Sequence, residues 1–162
     1  MRDGHWQILN LIHRFASHFD CGEFKQAAEL FDHGVFLLSG GRKVTADEML
    51  AMWSDMLLLY DGSPRTRHTI TNHIVEIDKL GVYASCASCY TVLQQIPGGP
   101  LNTILTGRYF DTFRLRDQEW VFHQRDYRHV EFVGDVSGHL KPDMRNRVQT
   151  ASQIGRVTSF ER

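Results

Sequence analysis

The sequence predicts an α+β fold in which a curved mixed or antiparallel sheet wraps around N-terminal helices. Two observations predict it. Between residues 6 and 60 apolar positions recur at helical intervals, whereas from Arg67 onward β-branched stretches alternate with short turn signals. Helices followed by long meandering strands argue against a doubly wound parallel sheet, and a half-cone of this kind leaves a pocket between sheet and helices.

Taken in order, residues 6 to 19 place Ile8, Leu11, Ile12, Phe15 and Phe19 on one helical stripe. Residues 23 to 32 repeat the pattern with Phe24, Ala27, Ala28 and Phe31, after a turn at Cys21-Gly22. A short strand is expected at 35 to 39, a turn at Gly40-Gly41, and a third helix from the capping-box signature Thr45-Ala46-Asp47-Glu48 to about Tyr60. That helix would carry Met49, Trp53, Met56, Leu57 and Tyr60 on one face. Strands follow near 68 to 78, 82 to 96, 101 to 116 and 119 to 133, separated by Lys79-Leu80-Gly81, by "PGGP" at 97 to 100 and by Asp117-Gln118. Neither an internal repeat nor a linker interrupts residues 1 to 140, which read as a single domain. Residues 141 to 162 form a polar tail in which Val148, Ile154, Val157 and Phe160 recur at short intervals.

Composition narrows the function. A chain of 162 residues with 42% hydrophobic content and a formal charge of -1 has no basic footprint for nucleic acid. The three cysteines are an odd number for a disulfide framework, and no apolar run approaches the roughly 20 residues of a membrane span, so a cytoplasmic protein is expected. Cys86 and Cys89 have C-x-x-C spacing, but on an extended strand three positions separate them onto opposite faces, which disfavours a zinc or redox pair. His68 and His73 would face opposite ways for the same reason, and no glycine-rich phosphate cradle follows a strand. Neither a metal nor a cofactor is expected.

The strand "RHTITNHIVEID" opens with a histidine, and in a regular strand His68 shares its face with Ile70, Asn72 and Ile74, which turns it inward. A core histidine held by hydrogen bonds and a catalytic base both fit that position. Asp20 closes the first helix directly after Phe15 and Phe19, either as a turn residue or as a partner for His68. Arg125 reads as one half of an ion pair with Asp111 or Asp126, and Trp53, Tyr60 and Tyr109 are pocket candidates.

Three stretches, "ILNLIHRFASHFDCGEFKQAAELF", "RHTITNHIVEI" and "GRYFDTFRLRDQEWVFHQRDYRHVEF", together resemble the SnoaL-like branch of the nuclear-transport-factor-2-like superfamily over roughly residues 5 to 140. Two catalytic members of that superfamily, scytalone dehydratase and lindane dehydrochlorinase, carry an aspartate–histidine dyad at positions that match Asp20 and His68. The resemblance implies that His68 is a general base oriented by Asp20, with Arg125 stabilising negative charge on substrate or leaving group. It also implies a homo-oligomer, with a trimer favoured over a dimer. The chain departs from both enzymes: Phe19 stands where the dehydratase has a tyrosine, Phe15 stands where the dehydrochlorinase has a lysine, and no second pocket histidine falls within residues 82 to 96. The expected activity is a cofactor-independent lyase or isomerase acting on a small, largely apolar or cyclic molecule. A non-catalytic small subunit like that of ring-hydroxylating dioxygenases and a ligand-binding protein without turnover are the alternatives. The tail is expected to fold over the pocket mouth or onto a neighbouring subunit.

Overall fold

The computed structural model describes residues 4–145. Helix α1 (Gly4–Asp20) buries Ile8, Leu11, Ile12, Phe15, Ala16 and Phe19 along the stripe that its spacing dictates. It ends in a Schellman motif, in which the Glu23 amide donates to the His18 carbonyl at 2.8 Å and the Gly22 amide to that of Phe19 at 3.0 Å. Gly22 has φ 79°, and a Cβ there would lie 2.1 Å from the Gly62 carbonyl oxygen, so only glycine fits this turn. Asp20 is thereby fixed in the last helical turn, pointing away from the solvent.

Helix α2 (Phe24–Glu29) leads into strands β1 (Val35–Leu37) and β2 (Lys43–Val44), and then into α3 (Ala46–Met56). The capping box forms as expected: the Glu48 amide donates to Thr45 Oγ1, and the Thr45 amide donates to Glu48 Oε2. The helix stops four residues short of Tyr60, because Leu57 turns extended and pairs with Leu140 in an isolated β-bridge. Tyr60 therefore lies in a turn and not on the α3 face.

Strands β3 (Thr66–Ile77), β4 (Tyr83–Gln94), β5 (Asn102–Arg116), β6 (Glu119–Asp126) and β7 (Val130–Val133) complete a seven-stranded sheet. Its order is β2-β1-β6-β5-β4-β3, with β7 paired to β5, and every pairing is antiparallel except β1 with β6. The single strand expected over 119 to 133 breaks at 127–129. There the Asp126 carboxylate accepts the Arg128 amide at 3.0 Å, and the Tyr127 amide donates to Leu37 of β1 at 2.9 Å.

Two irregularities set which side chains face the helices. In β3 the pairing with β4 shifts between Thr71 and Ile74, and Asn72 takes φ 54°. One inserted residue reverses the alternation, so Thr66, His68 and Ile70 point inward before the bulge while His73, Val75 and Ile77 do so after it. Ile74, expected on the face of His68, is consequently 48% exposed, and His73 meets His13 of α1 at a ring separation of 5.2 Å. The expectation that His68 and His73 face opposite ways is thus overturned. In β6 a second shift, opposite Thr112 and Phe113, turns Trp120, Phe122 and Arg125 all into the core. The regular β4 keeps Cys86 inward and Cys89 outward. Burial pushes the Cys86 thiol up to about 12, which makes it a poor nucleophile.

Beyond β7 the chain crosses the open end as a strap over residues 134–145. The Leu58 amide donates to the His139 carbonyl and the Lys141 amide to that of Met56, both at 2.9 Å, and Val136 and Leu140 are each 3% exposed. The apolar tail positions 148, 154, 157 and 160 lie outside the described residues.

A candidate active site at the end of the first helix

Asp20 occupies an unfavourable place for a carboxylate, since the carbonyl-rich end of a helix carries partial negative charge. Neighbours on β3 compensate. Thr66 Oγ1 donates to Asp20 Oδ1 at 2.8 Å, the His68 amide donates to Oδ2 at 2.7 Å, and His68 Nδ1 lies 2.6 Å from Oδ1. Burial pushes the Asp20 carboxyl up, but the hydrogen bonds and charge supplied by His68 and the Thr66 hydroxyl outweigh it and hold the group below its ordinary value. An ionised carboxylate only accepts, so Nδ1 carries a proton, and in the neutral imidazole Nε2 is then the nitrogen with the lone pair. Nε2 makes no hydrogen bond among the described residues. The side chains of His68 and Asp20 are 8% and 4% exposed, so the pair is desolvated as well as aligned.

Phe19 stands edge-on to the His68 ring at 5.3 Å and to Trp53 at the same distance, with Phe15 beyond it at 6.0 Å. The structure therefore gathers Asp20, His68, Phe19 and Trp53 in one place with Phe15 behind them. Arg125 belongs to a neighbouring layer. Its Nε and Nη2 donate to the two oxygens of Asp111 at 2.8 and 2.7 Å, because the β5–β6 register sets these residues opposite one another. Of the readings open to Arg125, the ion pair with Asp111 is the one formed. The guanidinium is sandwiched between Phe15 at 4.4 Å and Tyr109 at 4.2 Å, and Tyr109 in turn stacks on Tyr90. Burial works against the charge of Arg125, and the Asp111 carboxylate more than restores it. Nη1 is buried without a partner among the described residues. Two rings, Phe15 and Phe19, stand between this cation and His68.

Tyr60 sits on the far side, donating its hydroxyl to the Gly138 carbonyl at 2.9 Å. Gln94 Nε2 donates to the same oxygen at 3.0 Å and to the Pro64 carbonyl at 2.8 Å. Sequence reasoning missed Thr66, Gln94 and His139. Thr66 was detectable in principle, lying two positions before His68 on the same strand face, whereas nothing local distinguishes the other two. A cleft of about 1040 Å³ opens elsewhere, between the start of α1 and the β5–β6 hairpin, lined by Trp6, Gln7, Arg14, Ile77 and Trp120. No grouping of His, Cys, Asp and Glu suited to holding a metal ion occurs among the described residues.

A curved, open sheet packed on N-terminal helices is the nuclear-transport-factor-2-like fold, the class to which this architecture belongs. Within it the chain belongs to the SnoaL-like domain family, whose model matches residues 3–126. The chain is 34% identical over 76 residues to the β subunit of a methanesulfonate monooxygenase hydroxylase from Methylosulfonomonas methylovora. That match spans 42% of this chain and 41% of the subunit, less than half of either. An NTF2-like protein with a cystatin-like fold from Novosphingobium aromaticivorans superposes with a TM-score of 0.62, at 17% identity over 76% of this chain and 79% of its own. A protein proposed to be a scytalone dehydratase, from the same organism, superposes with a TM-score of 0.59, at 19% identity over 78% of this chain and 82% of its own. No described helix is long and apolar enough to cross a membrane.

Proposed function

We propose that the protein is a cofactor-independent lyase or isomerase that takes a carbon-bound proton from a small, largely apolar or cyclic organic molecule. The observation that carries this reading is the 2.6 Å contact between Asp20 Oδ1 and His68 Nδ1, with Nε2 left open. In this reading His68 Nε2 is the base, and Asp20 fixes the tautomer and stabilises the imidazolium that forms. Thr66 positions Asp20, and Phe15, Phe19 and Trp53 supply the apolar wall. Arg125 contributes, from behind Phe15, the dipole of its ion pair with Asp111 to the charge that develops on the substrate. Tyr109 and Tyr60 support the walls, one under Arg125 and the other under the strap. The chain works as a homo-oligomer, with a trimer favoured.

The test is a panel of cyclic ketones, β-hydroxy ketones and alkyl halides incubated with the protein in heavy water. Elimination, or uptake of deuterium at carbon, is expected with the wild type and falls by about a hundredfold or more in His68→Gln. Turnover that persists unchanged in His68→Gln rules out this base.

A second reading has its own support in the likeness to the hydroxylase β subunit. In it the chain is a non-catalytic partner of a larger iron-containing subunit, and the buried dyad is a structural tie. Copurification with such a subunit, together with inertness toward the whole panel, decides for it. A ligand-binding protein without turnover would instead hold panel compounds tightly and leave them unchanged.

A further inference from the structure

The cleft of about 1040 Å³ lies at the start of α1, about 24 Å along the helix axis from Asp20, and the proposed chemistry makes no use of it. Trp6 lines it from the helix and is 65% exposed, a large apolar area left in water. Ile77, Leu115 and Trp120 line it from the sheet. Gly4 lets helix and sheet approach here, since a Cβ on it would lie 2.8 Å from Trp120 Nε1 and 3.0 Å from Ile77 Cδ1. Trp120 is only 6% exposed, yet its indole N–H has no hydrogen-bond partner among the described residues. One turn along α1, Gln7 Oε1 accepts the Trp120 amide at 3.3 Å, which leaves the Gln7 NH2 group as a second free donor on the cleft wall.

Opposite charges stand apart along this wall. Asp117 and Gln118 take φ 48° and 70° in the tight β5–β6 turn, which brings the exposed carboxylates of Asp117 and Glu119 to the cleft beside Trp120. The exposed Arg14 lines it from α1, about 10 Å along the axis beyond Gln7. None of the three forms an ion pair among the described residues. The cleft thus has an anionic end, an aromatic middle with two N–H donors, and a cationic end.

We infer that this cleft is a second binding site, separate from the dyad, and that it takes a short free peptide with apolar side chains. Three extended residues span about 10 Å, which matches the run of the cleft from Gln7 to Arg14. The peptide's ammonium meets Asp117 and Glu119, and its carboxylate meets Arg14. Trp120 Nε1 and Gln7 Nε2 donate to its peptide carbonyls, and its side chains lie against Trp6, Ile77 and Leu115. Each feature of the wall has a counterpart in such a ligand, whereas a simple fatty acid or amine would leave one charged end without a partner.

The test uses the full chain and three matched probes titrated by calorimetry: trileucine, N-acetyl-trileucine, which lacks the ammonium, and trileucine amide, which lacks the carboxylate. Trileucine is expected to bind about tenfold more tightly than either blocked form, the worth of one charge-assisted hydrogen bond. Because all three probes act on the wild type, the result does not depend on a variant folding. Arg14→Gln is expected to weaken trileucine about tenfold and to leave the amide unaffected, and Glu119→Gln with Asp117→Asn to do the same for trileucine against the acetylated form. In NMR the Trp120 indole N–H resonance must move with trileucine. His68→Gln should bind trileucine as the wild type does, since the dyad is remote. No binding of trileucine, equal affinity for a blocked form, an unmoved Trp120 resonance, or affinity lost in His68→Gln overturns the inference. Equal binding of the acetylated form would show a site for the C-terminus of another chain instead of a free peptide.

Discussion

At the scale of single residues, the buried charges carry the clearest consequences. Arg125 is 0% exposed and bonded to both oxygens of Asp111, so removing one partner strands the other without water. Arg125→Leu is expected to lower stability by about 3–5 kcal/mol in urea denaturation, and Asp111→Asn with Arg125→Leu to cost less than the two single changes added together. Asp20 and His139 both make stability fall on acidification, in separate windows. The Asp20 carboxyl is held below its ordinary value, so its contribution is complete above about pH 4 and is lost as the pH drops through the depressed value. His139 is neutral when folded, pushed down to about 4 by burial and by His68, whereas the unfolded chain takes up a proton near pH 6.5. Between pH 7 and pH 5 the unfolded state alone gains that proton, which lowers stability by about 2 kcal/mol. His139→Phe should flatten this part of the urea-derived stability profile, and an unchanged slope would show that the ring titrates normally.

At the scale of elements, the bulge in β3 decides which residues meet the helices. Asn72 sustains it with φ 54°, a conformation open to asparagine and glycine and poor for a β-branched side chain. Asn72→Val is therefore expected to destabilise by about 1–2 kcal/mol, and Asn72→Gly to be tolerated, as thermal melts would record. A valine that stabilised this position would mean that the bulge is absent in solution. The type of each element was legible from periodicity and caps, as the Thr45 capping box illustrates. The end of α3 was not, because Leu57 leaves the helix to meet Leu140, a residue far along the chain whose arrival no local pattern announces.

At the scale of the whole molecule, β3 ends the sheet with no further strand beside it among the described residues, and its outward Ile74 is exposed, as are Leu80, Val82 and Tyr83 on the β3–β4 hairpin. Apolar side chains on an open strand and hairpin favour burial against another copy. Light scattering at micromolar concentration is expected to return a multiple of 18.7 kDa, with three copies favoured, and a monomer mass would refute the assembly.

Local spacing and motifs sufficed for the order of the main helices and strands and for the inward-facing stripe of α1, whereas the pairing of Asp20 with His68 was implied only by the resemblance to the SnoaL-like family. Asp20 and His68 were visible because each sits at the boundary of an element, where the chain must change direction or begin a ladder. It took the assembled fold to turn His73 toward α1, to set two nitrogens of Arg125 on Asp111, and to tie Gly138 of the strap to Gln94 and Tyr60. The reason is physical. One inserted residue in a strand reverses every side chain after it, and cross-strand partners and strap contacts join positions tens of residues apart, so these pairings depend on the register of the assembled sheet and not on the sequence around any one of them.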